Sequence, residues 1–298
     1  MQSFWTDILD QLPGVIAILF LARLTLLLSW PGFLVLEKLS PVRPQTTRRN
    51  YWYNWQITLV NIFLSPVFTV LVIVATLKLA DWLALPSLDL SFTSVSIGVP
   101  GLDLVIQGGL VFLVACILGD FSYYWWHRFQ HTVPFLWEIH KLHHSDEELN
   151  TTTIYRSHFL EPAGQALFRG LSIGLVLDTS ESSQTLMAAV AGGLLPLLWD
   201  YLIHANVRYD WMSKLLPFFS SPQFHWIHHS KLPQHQDKNF AIWIPLYDVM
   251  FGSYYRPQPG EYPPTGLSSG EKIESLYQSQ VEPLQAWWRM LRRGEELK

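Results

Sequence analysis

The hydrophobic positions of this chain form long apolar runs that are separated by short polar segments. A helix of about 20 apolar residues is long enough to cross the hydrocarbon core of a bilayer. Three runs reach that length, and we expect transmembrane helices at about 13–36, 55–79 and 104–126. Two shorter runs between 162 and 203 flank the acidic segment 178–185, which predicts a helical hairpin that enters the membrane and returns. The pattern indicates an all-α integral membrane protein of about four crossings.

The polar segments suggest two regions, with the three predicted helices in residues 1–126 and the membrane hairpin and a helical cap in residues 127–298. Segment 80–103 alternates weakly between apolar and polar residues and fits a short strand or an interfacial loop. Near the C-terminus, an apolar helical face is flanked by arginines. That face fits a helix lying on an anionic membrane surface or an ordinary packing helix. Its residues are Leu284, Trp287, Trp288 and Leu291, with Arg289, Arg292 and Arg293 close by.

Composition supports the membrane class, because 49% of the residues are hydrophobic and only 15% are charged, against about 25% charged in average soluble domains. A net charge of -4 without a basic tract argues against nucleic-acid binding. The single cysteine, Cys116, excludes a disulfide within the chain and a cysteine-based zinc site. The acidic N-terminus lacks a basic leader and a clear cleavage site, so we expect a retained helix and not a signal peptide.

Lysine and arginine are distributed unevenly between the predicted loops. Segments 80–103 and 178–185 carry none, whereas the 43–49 loop and the C-terminal third carry many. Positive residues concentrate on the cytoplasmic side of membrane proteins. This asymmetry predicts that the histidine-rich region described next lies on the cytoplasmic side.

All eleven histidines lie between positions 127 and 235. Residues three or four apart share a helix face, so each cluster is expected to point one way. Neutral imidazole is a good ligand for iron, copper or zinc. Eight ligands exceed the four of a tetrahedral zinc site and suit two metal ions. These eight are His127 and His131, then His140, His143 and His144, then His225, His228 and His229.

Carboxylates commonly hold metal-bound histidines in the required tautomer. Several acidic residues near the clusters are candidates for that role, although each one alone also fits an ordinary helix cap or surface charge. They are Asp120, Glu138, Asp146, Glu161 and Asp200. The chain contains no G-x-G-x-x-G, P-loop or G-x-S-x-G motif, so nothing indicates nucleotide binding or serine hydrolysis.

Seven segments together resemble the fatty acid hydroxylase/sterol desaturase superfamily over about residues 119–257. They are D-F-S-Y-Y-W-W-H-R-F-Q-H at 120–131, L-W-E-I-H-K-L-H-H-S at 136–145, Y-R-S-H-F-L-E at 155–161, H-A-N at 204–206, H-W-I-H-H-S at 225–230, D-K-N-F at 237–240 and Y-D-V-M-F-G-S-Y-Y at 247–255. The resemblance implies a membrane-embedded non-haem di-iron oxygenase that uses O2 and two electrons to hydroxylate, or sometimes desaturate, a lipid. Zinc can occupy such sites in isolated members.

The resemblance also suggests further site residues. Some members carry an additional H-x3-H pair before the last cluster, and this chain has Asp200 and His204 at that spacing. We expect His204 to be a ligand and Asp200 to be a ligand, a partner of one or a structural residue. His158 fits a partner near the metals or a packing residue, and His235 is expected to be a loop residue.

The partners follow from the same resemblance. No H-P-G-G haem motif is present, so a separate electron donor of the cytochrome b5, ferredoxin or reductase type is expected. Sterols, fatty acyl or sphingoid chains, alkyl glycerols and carotenoids all fit as substrates. The alternative is a metal-binding transporter or sensor without oxygenase activity, which would need ionisable ligands within its spans. The predicted spans hold almost none.

Overall fold

A computed structural model describes residues 27–44, 46–82, 95–176 and 198–293, together with positions 20, 24 and 196. Within these ranges the regular structure is helical, and β pairing is limited to an isolated bridge between Ser230 and Thr265. The all-α class predicted from the sequence is confirmed for this part of the chain. Segment 178–185 and about half of the helix expected at 13–36 lie outside the described residues.

The first three helices are α1 (Trp30–Leu39), α2 (Arg48–Trp82) and α3 (Pro100–Thr132). Two stretches, Arg48–Thr76 and Pro100–Thr132, are long and apolar enough to cross a membrane. They confirm the helices expected at 55–79 and 104–126. Helix α3 does not end at Trp126, because no helix-breaking residue occurs before Pro134. Its last two turns therefore carry the first histidine cluster.

Helix α2 has an unusual distribution of polar and apolar side chains. Its buried side combines apolar residues, among them Tyr53, Ile57, Ile62 and Val70, with the polar residues Asn54, Thr58, Asn61, Ser65 and Thr69. Its exposed side is a stripe of large apolar residues four positions apart, Leu59, Phe63, Val67 and Leu71. Soluble proteins rarely expose a contiguous apolar stripe of this kind. The arrangement is the one expected where lipid covers the outer face of the helix.

Shorter elements follow the long helices, and we call the region that they form the cap. The helices are α4 (Pro134–His144), α5 (Glu161–Val176), a helical segment at 198–204, α6 (Pro222–His228), α7 (Leu246–Phe251), α8 (Leu276–Gln280) and α9 (Glu282–Arg293). Single 3-10 turns lie at Thr151–Tyr155, Asp210–Leu215 and Pro233–His235. Helix α5 packs against both α2 and α3.

Two close contacts fix the helices that carry histidines. Gly164 of α5 lies under the ring of Trp126, and a Cβ atom at this glycine would come within 2.2 Å of the indole. Only glycine therefore allows α5 to approach α3 so closely. On α4, Phe135 stacks on Trp287 of α9 at 3.9 Å between ring centroids.

The C-terminal helix divides its predicted apolar face between two environments. Trp287 packs inward and its Nε1 donates to the backbone oxygen of Phe135 at 2.6 Å. Trp288 and Leu291 point outward and are 57% and 72% exposed. The packing alternative is therefore correct for Trp287, and the outer residues remain available for a membrane surface.

Candidate metal centre

Nine histidines converge in the cap, and they form two groups whose ligating nitrogens lie within 4.8 Å of one another inside each group. The five-histidine group contains His127, His131, His140, His144 and His228. The four-histidine group contains His143, His204, His225 and His229. The groups are adjacent, because the rings of His144 and His229 stack at 4.6 Å. All the residues expected as ligands are thus brought together.

The structure corrects one expectation, because each H-x2-H-H cluster is divided between the two groups. On α4, His140 and His144 join the five-histidine group and His143 joins the other. In the cluster at 225–229, His228 joins the five-histidine group, whereas His225 and His229 join the four-histidine group. Residues four apart on a helix differ by about 40° in direction, whereas adjacent residues differ by about 100°. A cluster that contains adjacent histidines can therefore serve two sites.

Three rings of the five-histidine group are held through their Nδ1 atoms. The Nδ1 of His127 donates to the backbone oxygen of Phe240 at 2.7 Å, and the Nδ1 of His228 donates to the backbone oxygen of Lys238 at 2.8 Å. The Nδ1 of His140 lies 2.7 Å from Oε1 of Glu161. A carbonyl oxygen only accepts hydrogen bonds, so the Nδ1 atoms of His127 and His228 carry the proton and their Nε2 atoms are bare.

The backbone acceptors on Lys238 and Phe240 could not be identified from residue types. Their segment is fixed by Asp248, whose carboxylate accepts from the backbone nitrogens of Phe240 and Ala241 at 2.8 and 3.0 Å. Asn239 lies between the two acceptors with a left-handed φ of 62°, a conformation that asparagine tolerates better than most residues. In the sequence, only the D-K-N-F motif at 237–240 marks the segment that carries these acceptors.

The four-histidine group is held differently. The Nδ1 of His204 lies 2.8 Å from the backbone oxygen of Asp200 and 3.1 Å from its carboxylate. The Nε2 atom of His204 lies 3.0 Å from that of His143 and 2.9 Å from that of His225. The Nδ1 atoms of His225 and His229 are buried without a hydrogen-bond partner among the described residues.

The donor set fits metal ions. The Nε2 atoms of His127 and His228 are bare and buried, and neither has a hydrogen-bond partner in the described part of the chain. Buried nitrogens without a partner are costly, and a bound metal ion would satisfy them. Burial also lowers the pKa of six cap histidines well below 6.5, so these rings are neutral near pH 7 and able to ligate. They are His140, His143, His144, His225, His228 and His229.

Two of the five acidic candidates contact a histidine of the groups, namely Glu161 beside His140 and Asp200 beside His204. The other three have different roles. Asp120 accepts from the backbone nitrogens of Trp243 and Ile244, and Glu138 pairs with Lys141 at 3.0 Å. Asp146 accepts from Asn50, Asn54 and Thr153, and thereby ties the loop after α4 to α2.

His158 and His235 lie outside both groups. The Nε2 of His158 lies 3.1 Å from the backbone oxygen of Gln280, and its Nδ1 accepts from the backbone nitrogen of Leu160. Both of its ring nitrogens are therefore engaged by backbone. His235 ends a short 3-10 turn, but its ring is 1% exposed and its Nδ1 lies 2.9 Å from Oγ of Ser230. It therefore lies in a loop segment outside both groups, as expected, with its ring buried.

A cavity of about 250 Å³ reaches the five-histidine group. His131, His144 and His228 line it, and none of the four-histidine group does. Asp237 also lines it, and its carboxylate lies 3.5 Å from Nδ1 of His131. This side chain is 62% exposed, so the cavity opens the five-histidine group toward solvent.

Residues 112–253 match the fatty acid hydroxylase family, which confirms the resemblance predicted from the motifs. The chain is 30% identical over 135 residues to alkylglycerol monooxygenase of Danio rerio, which covers 45% of this chain and 28% of the relative. It is 27% identical over 154 residues to the ornithine lipid hydroxylase OlsE of Rhizobium tropici, covering 49% of this chain and 42% of that protein.

A third relative is methylsterol monooxygenase 1-3 of Arabidopsis thaliana, which is 26% identical over 194 residues, covering 61% of this chain and 59% of that protein. The chain therefore spans less than a third of the alkylglycerol monooxygenase and less than two thirds of the other two relatives. No solved structure matches the chain.

Proposed function

We propose, from the premise that residues 112–253 are a fatty acid hydroxylase domain, that this chain is a membrane-bound oxidoreductase that hydroxylates or desaturates a lipid with O2. One observation carries the proposal. Nine buried histidines form two adjacent groups, which is the donor set that two metal ions require. The relatives are named as monooxygenases and hydroxylases of lipids, which favours an oxygenase over a metal transporter or sensor.

The nine histidines would hold two iron ions, and zinc could replace iron in the isolated protein. Iron bound there would supply the activation of dioxygen and the oxidation of a substrate C–H bond. The protein's own contribution begins with neutral rings, because imidazole ligands add no negative charge to the site. The carbonyls of Lys238 and Phe240 fix the tautomers of His228 and His127 and keep each Nε2 directed inward.

Substrate would approach from the bilayer along α3. This helix carries large exposed apolar residues, among them Val105 and Leu113, on the segment that leads to the histidines. At its inner end Tyr123 packs on His127 at 5.3 Å between ring centroids, and Trp126 is buried beside it. These aromatic side chains exclude water and would align an alkyl chain beside the ligand nitrogens.

The substrate class we propose is an amphiphilic lipid with an unactivated alkyl carbon. This class is common to the printed names of the relatives, which act on alkylglycerol, ornithine lipid and methylsterol. The two candidate spans and the charge asymmetry support a multi-pass topology of about four crossings with the cap on the cytoplasmic side. A separate chain of the cytochrome b5, ferredoxin or reductase type would then deliver electrons from that side.

The experiment that tests this function supplies the purified, iron-loaded protein with ¹⁸O2, a reductase system and separate pools of alkyl glycerols, sterols and acyl lipids. Mass spectrometry should find one ¹⁸O atom in a product from one pool, or loss of two hydrogens for desaturation. The control is the His143→Ala protein, loaded and assayed in the same way. If the iron-loaded protein consumes no O2 with any lipid pool, or if His143→Ala retains full turnover, the proposed function is wrong.

A further inference from the structure

A second cavity, of about 740 Å³, lies between α1 and the beginning of α2 and is lined by none of the histidines. Its walls combine apolar and aromatic side chains with two basic ones. Among its lining residues are Trp30, Leu34, Lys38, Pro41, Arg48 and Tyr51. This volume is within the range of sites that bind small ligands or lipid headgroups.

The two basic side chains, Lys38 and Arg48, are exposed. Neither forms an ion pair or a hydrogen bond with any other described residue. The neighbouring arginines are already engaged: Arg49 pairs with Glu274 at 2.9 Å, and Arg43 donates to the backbone oxygen of Pro263 at 2.7 Å. The cavity thus contains the two cations of this region that have no protein partner.

One acidic residue, Glu37, also lines the cavity, but its carboxylate oxygens are directed into the protein. Oε1 accepts from the backbone nitrogens of Thr151 and Asn206 at 2.6 and 2.9 Å, and Oε2 accepts from the hydroxyl of Tyr51 at 3.3 Å. This carboxylate joins α1 to the cap and makes no ion pair with Lys38 or Arg48. Both cations therefore remain available to an anionic ligand.

The cavity lies where the exposed surface changes from apolar to basic. Arg48 is the first residue of a candidate membrane span, and the exposed apolar stripe of α2 starts at Leu59. Leu28, which precedes α1, and Leu39, the last residue of α1, are 79% and 75% exposed. Tryptophan and tyrosine at such a boundary are typical of the headgroup level of a bilayer. Trp30 and Tyr51 line this cavity.

We propose that this cavity binds the phosphate headgroup of an anionic phospholipid. Lys38 and Arg48 would pair with the phosphate oxygens, and Arg favours phosphate because its guanidinium donates two parallel hydrogen bonds. Trp30 and Tyr51 would lie beside the headgroup, and the acyl chains would follow the exposed apolar residues of α1 and α2. The site is separate from the histidine groups and does not depend on the proposed oxygenase activity.

The test uses the full-length protein in nanodiscs of equal parts phosphatidylcholine and phosphatidylglycerol, with the retained lipids identified by native mass spectrometry. The wild-type protein should retain phosphatidylglycerol preferentially, and Lys38→Gln/Arg48→Gln should lower that preference about tenfold, the order of loss expected from two solvent-exposed ion pairs. The matched control is Arg49→Gln/Lys272→Gln. It removes the same charge from basic residues that pair with Glu274 and Glu147 beside a different cavity, and it should keep the preference.

Equal retention of phosphatidylglycerol by the double variant and the wild type would overturn the proposal. So would equal thermal protection by inorganic phosphate and by dioctanoyl phosphatidylglycerol at the same concentration, since the ligand would then be free phosphate. Folding is checked by the melting temperature in phosphatidylcholine alone, which should match the wild type. If the double variant does not fold, Lys38→Gln and Arg48→Gln are tested singly, and each should lower the preference.

Discussion

The two histidine groups share the clusters at 140–144 and 225–229, yet the protein supports the two groups differently. In the five-histidine group, His127, His140 and His228 each have an Nδ1 partner within 2.8 Å. In the four-histidine group, His204 is supported by Asp200, whereas His225 and His229 have no Nδ1 partner among the described residues. The first group has an extra ligand and a cavity open to solvent, and the second does not border that cavity.

This difference indicates that the two proposed metal positions are unequal. A ring held through Nδ1 keeps its orientation and its tautomer, and the loss of such a partner typically costs 10- to 100-fold in metal affinity or activity. The five-histidine group also has one ligand to spare over a tetrahedral set. We therefore expect it to hold its ion more tightly and to tolerate a single loss better. The following predictions test this inequality, from the largest expected effect to the smallest.

The largest effect should come from removing one ligand from each group. His143→Ala leaves three histidines in the four-histidine group, whereas His228→Ala leaves four in the other. We expect His143→Ala to bind about one metal per chain and His228→Ala to stay closer to two. Turnover of His143→Ala should fall by more than about 100-fold, which exceeds the usual effect of losing a residue that only supports a ligand. Metal analysis and turnover per folded molecule measure both.

The control for these variants is His235→Gln, because this ring is buried outside both groups and alanine would leave a cavity. Metal content and turnover should match the wild type. Equal metal loss in His143→Ala and His228→Ala would mean that the two groups are equivalent.

The second prediction concerns the contact that positions α3 against α5. In Gly164→Ala the new Cβ would overlap the ring of Trp126, which lies beside His127. Overpacking of this kind typically costs about 1–3 kcal/mol, and we expect a lower melting temperature together with weaker metal retention. Gly170→Ala is the matched control on the same helix, since nothing lies within 4 Å of its added Cβ. A melting temperature unchanged in Gly164→Ala would contradict the close packing.

The third prediction compares the two supporting carboxylates. Glu161→Ala removes the acceptor described for Nδ1 of His140, whereas Asp200→Ala leaves the backbone oxygen of residue 200 at 2.8 Å from Nδ1 of His204. We therefore expect a loss of metal affinity of about 10- to 100-fold for Glu161→Ala and a smaller loss for Asp200→Ala. Chelator competition measures both, and Glu161→Gln should recover part of the affinity because the amide oxygen still accepts. The opposite order would show that the Asp200 carboxylate, and not the backbone, supports His204.

The smallest effect is expected for Asp237→Asn. This carboxylate is 3.5 Å from Nδ1 of His131 and 62% exposed, so solvent screens the interaction. Turnover and metal content should change less than about threefold, below the range of well-ordered partners. A loss as large as that of Glu161→Ala would mean that Asp237 is fixed against His131 in the working enzyme.

The sequence by itself determined the helical class, the two apolar helices and the identity of the histidines that converge. These features depend on local spacing: apolar runs of span length predict α2 and α3, and pairs four apart such as His140 and His144 share a face on any helix. The family resemblance added His204, and the structure brings this residue together with the others. Of the acidic candidates, sequence spacing could not identify Glu161, because Asp146 lies nearer to the cluster at 140–144 and yet contacts Asn50, Asn54 and Thr153 instead.

Tertiary structure alone decided how the histidines are shared. His143 and His144 are neighbours in sequence, yet they enter different groups because α6 presents His229 to one and His228 to the other. It also decided which atoms fix the rings, since the acceptors on Lys238 and Phe240 are backbone oxygens that every residue carries. Such contacts depend on how the segments cross in space and on left-handed positions such as Asn239. Periodicity along one helix predicts neither the division of the histidines between the groups nor the atoms that hold their rings. It specifies which residues share a face, and not which residues of other segments that face contacts.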